Sequence, residues 1–136
     1  MNYKKNIFLF LILAFSFSYS FAQAPNFDKT LASAAQGNPS AQRVLGLMYF
    51  NGQGVQKDDV KAFEWFLKAA AQGDPSAQNN LGIMYEYGRG IQKDNTKAFE
   101  WYSKAAAQGD PSAQFNLGLM YLNGQGVQKD DVKAFE

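Results

Sequence analysis

The sequence predicts an all-α fold, an α-solenoid of helix-turn-helix units with a 36-residue period. Three observations predict it. Landmark residues return at one fixed interval: Trp65 as Trp101, Pro39 as Pro75 and Pro111, Tyr49 as Tyr85 and Tyr121. The stretch Leu45–Glu64 matches Leu117–Glu136 at all but one position, Phe50 against Leu122. Within each unit two apolar stripes run at helical spacing, each opened by a capping residue. A two-helix unit this short cannot bury its own apolar surface, so stacking on the next unit must supply the core.

Residues 1–22 read as a secretory signal peptide. Lys4 and Lys5 precede an apolar run from Ile7 to Phe21, and Ser20 and Ala22 place small residues before Gln23. Charged, apolar and small-residue regions in that order describe a cleaved leader. The apolar run falls short of the roughly 20 residues a spanning helix needs. The expected mature chain begins at Gln23, in a periplasm or outside the cell, with no membrane span after cleavage. No Cys stands at the junction to carry a lipid.

Residues 23–37 are expected to form an N-terminal capping helix. Moving the repeat backwards lays Asn26–Gly37 on Ala62–Gly73, with Phe27 on Phe63, Leu31 on Leu67 and Ala34 on Ala70. Lys29 stands where the tryptophan would fall, so Phe27–Gln36 reads as a lone second helix, more polar than its equivalents.

The full units are expected at 38–73 and 74–109, with an incomplete third at 110–136. Helix A of each starts at Asn38, Asp74 or Asp110, followed by Pro, Ser and Ala. The cap side chain takes up free amides, and Pro suits the first helical position because an N–H there has no partner. Ala41, Val44, Leu45, Met48 and Tyr49 then recur on one face. Asn51 and Gly52 end the helix, Gly52 supplying a left-handed C-cap, and the turn through Gly54 leaves little room for a side chain at either glycine.

Helix B follows Asp58, Asp94 or Asp130 as N-cap. Its stripe is Ala62, Phe63, Trp65, Phe66, Ala69 and Ala70, and Glu64–Lys68 and Glu100–Lys104 fall at the i,i+4 spacing of exposed ion pairs. Gly46, Gly82 and Gly118 sit inside helix A, where glycine costs about 1 kcal/mol relative to Ala. Close approach of helix B is the expected compensation. In the third unit only Asp131–Glu136 of helix B remains, less than two turns, and such a segment is expected to fray. We expect the chain to be a fragment of a longer array, its open end offering a face for end-to-end self-association.

Composition narrows the function. The chain has no Cys and no His, which removes thiol chemistry, disulfides, a His general base and Cys/His zinc sites. Without Lys4 and Lys5 it holds 11 basic and 12 acidic residues, a balance that does not suit a nucleic-acid partner. The acidic residues Asp58, Asp59, Asp94, Asp130 and Asp131 stand at helix starts, where capping and the helix dipole explain them without a metal. No metal or other cofactor is expected.

Read together, Ala41-Gln42-Arg43-Val44-Leu45-Gly46-Leu47-Met48-Tyr49, Gly52 to Val55, Asp58, Lys61-Ala62 and Trp65 to Ala70 resemble the Sel1-like repeat, a relative of the tetratricopeptide repeat. The resemblance covers residues 37 to 136. It implies a right-handed superhelix whose A helices line the concave face, and a scaffold that binds a protein or peptide segment there. By spacing from Leu45 and Tyr49, the groove positions are Arg43, Asn79 and Phe115; Phe50, Glu86 and Leu122; and Asn51, Tyr87 and Asn123. They vary between units while the framework repeats, as either recognition or unconstrained drift would produce. Leu47, Ile83 and Leu119 form a further apolar row, groove floor or extra core.

Exported cysteine-rich proteins of this type are described as β-lactamases or penicillin binders, so a β-lactam- or peptidoglycan-directed protein is the alternative. This chain lacks their cysteines, and no Ser has Lys three residues later to form the Ser-x-x-Lys pair. Ser40, Ser76 and Ser112 lie in the first turn of each helix A, where repetition in every unit marks them as structural.

Overall fold

The computed structural model describes residues 25–135. The predicted signal peptide, residues 1–22, lies outside the described residues. Among those described there are six α-helices, α1 (Phe27–Ala35), α2 (Pro39–Asn51), α3 (Asp59–Ala71), α4 (Pro75–Tyr87), α5 (Asn95–Ala107) and α6 (Pro111–Asn123). A short 3-10 helix, η1 (Lys133–Phe135), follows them. Each packs on the next in chain order, and α4 also touches α6 of the adjacent unit, so the core is built between adjacent helices and adjacent units. No described helix is long and apolar enough to cross a membrane.

The predicted caps set the helix ends. Oδ1 of Asn38, Asp74 and Asp110 accepts the amides of Ala41, Ala77 and Ala113 at 2.8–2.9 Å, with Pro at the first helical position each time. Asp58 and Asp94 do the same for Lys61 and Lys97 at 3.0 Å. Gly52, Gly88 and Gly124 close the A helices with φ of 63–67°, the left-handed region where a side chain is strained. α1 begins on Asn26 as cap and stops at Ala35, with Gln36 as its C-cap.

Between units the contacts repeat as the sequence does. Phe27, Phe63 and Phe99 meet Tyr49, Tyr85 and Tyr121 of the following helix A edge to face, centroids 5.5–5.9 Å apart, the geometry favoured by ring quadrupoles. The first of these contacts ties α1 to the first unit as α3 is tied to the second. Lys61, Lys97 and Lys133 lie 5.4–5.8 Å from the same tyrosine rings. The turn glycines Gly90 and Gly126 press on the main chain at Asp59 and Asn95, where a Cβ would collide with a carbonyl.

Three features depart from the sequence reading or were absent from it. The Glu64–Lys68 and Glu100–Lys104 ion pairs do not form. Lys68 and Lys104 instead lie over the rings of Trp65 and Trp101, at 4.1 and 4.4 Å. An ammonium on an indole face, its methylene stem covering the ring, outweighs an exposed ion pair worth a few tenths of a kcal/mol. Gln42 and Gln78 are buried in the apolar face of helix A. Their Nε2 atoms donate to the carbonyls of Ala34 and Ala70, and their Oε1 atoms accept from Gln72 and Gln108 at 2.7–2.8 Å. A polar ladder thereby stitches each unit to the next, with both ends of each buried amide satisfied. Finally, residues 133–135 form a 3-10 turn capped by Asp130 rather than a frayed α-helix.

Candidate functional site

Helix A of each unit carries two kinds of position. Leu45 and Leu81, with Met48 and Met84, are fully buried and fill the core. The nine predicted groove residues flank these core positions on helix A, and of them only Asn79 is buried. Their surroundings differ sharply from unit to unit.

In the first row, Arg43 Nε pairs with Asp74 Oδ2 at 3.3 Å, reaching across to the N-cap of α4. Asn79 is buried and its Oδ1 accepts from Asn116 Nδ2 at 3.1 Å. Phe115 is 67% exposed. In the second row, Phe50 and Leu122 are half-buried, as is Glu86, whose Oε2 accepts from the Tyr102 hydroxyl at 2.6 Å. In the third row, Asn51, Tyr87 and Asn123 are all exposed.

The structure brings Phe50 together with Leu47 of the additional apolar row. With Asn80 and Ile83 from the next helix A, and Phe66 of α3 as floor, they line an apolar pocket of about 70 Å³. The guanidinium of Arg89 lies 3.9 Å from the Phe50 ring and holds Asp59 through two hydrogen bonds of 3.0 Å. That bidentate pair fixes the turn of the second unit to the start of α3, beside the pocket.

At the following junction the equivalents of Phe50 and Phe66 are Glu86 and Tyr102. Two apolar rings are replaced by a carboxylate and a phenol that meet as a hydrogen-bonded pair. Burial raises the Tyr102 hydroxyl far above its ordinary titration range, and the hydrogen bond to Glu86 raises it further. Both effects favour the protonated hydroxyl that donates to Glu86. A second paired replacement lies in the outer seam, where the neutral Asn95 and Gln125 occupy the positions of the ion-paired Asp59 and Arg89. Asn95 Oδ1 is buried with no hydrogen-bond partner.

The contributions of Asn80, Phe66 and Arg89 were not among the predicted groove residues. Asn80 had a signal, since its position changes from Val44 to Asn80 and Asn116 across the units. Phe66 and Tyr102 had one as well, because they change in step with Phe50 and Glu86. Arg89 interrupts a turn that otherwise carries Gln53 and Gln125. Among the described residues no group of three or more acidic side chains could hold a metal ion.

With this geometry in place, comparison with known proteins is specific. The Sel1 repeat family model matches residues 39–74, 75–110 and 111–136. A protective antigen present in uropathogenic Escherichia coli strains, displaying an SLR fold, superposes with a TM-score of 0.77 at 44% identity over 79% of this chain. A Sel1 repeat protein from Oxalobacter formigenes gives 0.71 and 44% over 74% of the chain. Cysteine rich protein B of Helicobacter pylori gives 0.62 and 25% over 78% of the chain and 80% of its own length. The chain spans only 23% and 40% of the lengths of the first two. No curated protein matches the sequence.

Proposed function

We propose that this chain, which belongs to the Sel1 repeat family, is a non-enzymatic binding scaffold that takes a protein or peptide segment along its helix-A face. One observation carries the reading. Large apolar side chains, Tyr87, Phe115 and Leu119, stay exposed on the A helices while the framework around them is buried and repeated. Exposed apolar surface on a repeated framework is what a partner covers in a non-catalytic repeat protein. Variation between units then belongs to recognition, each unit presenting a different side chain on one backbone.

Replacing Arg43, Tyr87 and Phe115 together by Ala is expected to abolish partner capture in a crosslinking pull-down from the cell envelope, with far-ultraviolet circular dichroism unchanged. Capture that survives this triple replacement refutes the helix-A site. Tyr87→Ala with Phe115→Ala alone separates recognition from the Arg43–Asp74 pair, because neither aromatic is buried.

The reading includes export. Residues 1–22 act as a leader cut after Ala22, delivering the scaffold to the periplasm or the medium. The intact mass of the protein recovered from those fractions should correspond to a chain starting at Gln23. A mass retaining Met1–Ala22, or recovery from the cytoplasm alone, contradicts this.

A further inference from the structure

The three complete A helices carry two charged side chains, Arg43 and Glu86. Arg43 is already paired with Asp74. Glu86 forms no ion pair among the described residues. Its Oε2 is held by the Tyr102 hydroxyl, which orients the carboxylate and leaves Oε1 without a protein donor among the described residues. A fixed, half-buried carboxylate is thus the single uncompensated charge of the A helices.

Its place relative to the apolar pocket is set by the helix. Ile83 forms part of the pocket wall, and Glu86 follows three residues later on the same face of α4. Side chains at that spacing lie about 5–6 Å apart. An extended chain advances about 3.3 Å per residue and points alternate side chains the same way. Two ligand side chains on one side of a strand, about two residues apart, therefore match the two positions.

Resting on the helix-A reading above, we infer that the bound segment is an extended peptide carrying a large apolar residue and, about two positions away, a lysine or arginine. The apolar side chain occupies the pocket of Leu47, Phe50, Phe66 and Ile83, and the cation pairs with Glu86. Replacement of Phe50 by Glu86 at equivalent positions divides the groove into an apolar and an acidic subsite. Charge complementarity excludes an acidic segment or a free C-terminal carboxylate at the second.

The test is a selection from a random peptide library displayed on phage, panned against the immobilised protein and against three variants, Glu86→Gln, Glu86→Lys and Tyr87→Ala with Phe115→Ala. Sequences enriched on the unaltered protein should pair a basic residue with Leu, Ile, Met or Phe at that spacing. A synthetic peptide of the enriched sequence should bind Glu86→Gln about tenfold more weakly. The amide of that variant still accepts from Tyr102, so folding is retained. Glu86→Lys should enrich acidic residues at the same place while the apolar preference persists. Enrichment without a basic residue, or a basic preference unchanged in Glu86→Gln, overturns the inference and leaves the helix-A reading standing. No enrichment at all, or enrichment untouched by the Tyr87 and Phe115 replacements, overturns both.

Discussion

Phe66→Ala is expected to destabilise the protein by about 3–5 kcal/mol, the range for emptying a fully buried aromatic site. Phe66 is 1% exposed and lies where three parts of the first junction meet. Its ring packs on Gly46 of α2, tilts against Phe50 at 6.4 Å between centroids, and floors the pocket shared with α4. Removing it joins the cavity to a pocket that is already open, so the loss of packing is not repaired by collapse. A single domain typically has about 5–15 kcal/mol in total, so this one change uses a large share. Urea unfolding followed by circular dichroism measures it. Tyr102→Phe at the equivalent site keeps the ring and removes only the bond to Glu86, for about 1 kcal/mol. A cost below about 1 kcal/mol for Phe66→Ala would show that the junction does not depend on this ring.

The contrast between these two sites separates what the sequence makes legible from what it hides. The limits of the A helices are legible because each is set locally: a side-chain oxygen three residues before the amide it receives, Pro after it, Gly at the far end. The core glycines are legible too, since a glycine inside a good helix needs a close neighbour to explain it. The glutamine ladder is not. Gln42 bonds to Ala34 and to Gln72, partners that helical periodicity does not connect, and by polarity alone it belongs on the surface. Lys68 departs from expectation for a related reason. Spacing offers it Glu64 at i−4 and Trp65 at i−3 equally, and only the rotamers decide.

The candidate groove positions follow from helical spacing, and their environments do not. Arg43, Asn79 and Phe115 occupy one helical position, yet one pairs with the next unit's cap, one is buried and one is exposed. What a side chain meets there depends on the adjacent unit, so reading along one helix cannot supply it. Reading across units does better. Phe50 with Phe66 becomes Glu86 with Tyr102, and Asp59 with Arg89 becomes Asn95 with Gln125. Each is a paired change, and Phe50 with Phe66, Glu86 with Tyr102 and Asp59 with Arg89 are pairs in contact.

Gly82→Ala gives the second large effect, in the direction opposite to helix propensity. Alanine is favoured over glycine in a helix interior by about 1 kcal/mol. A Cβ at residue 82, however, would overlap the ring of Tyr102, which is fully buried and held at its far end by Glu86. The ring cannot withdraw without breaking that bond or moving α5 away from α4. Overpacking of this kind costs about 1–3 kcal/mol and exceeds the propensity gain, so the urea midpoint should fall with an unchanged slope. Gly46→Ala meets the Phe66 ring at 2.6 Å and should behave alike. Gly118→Ala tests the cause, because its Cβ meets only the Ala134 carbonyl at 2.7 Å, in the 3-10 turn η1 flanked by exposed Val132 and Phe135. Bringing that carbonyl to ordinary contact requires the main chain of the turn to move by roughly half an ångström. The propensity gain partly offsets this, so Gly118→Ala should cost less than Gly82→Ala and Gly46→Ala, about 1 kcal/mol or below. Equal losses at all three glycines would mean that backbone conformation, and not the facing ring, dictates glycine there; a Gly82→Ala protein as stable as the parent would mean that the aromatic contact yields more easily than its burial implies.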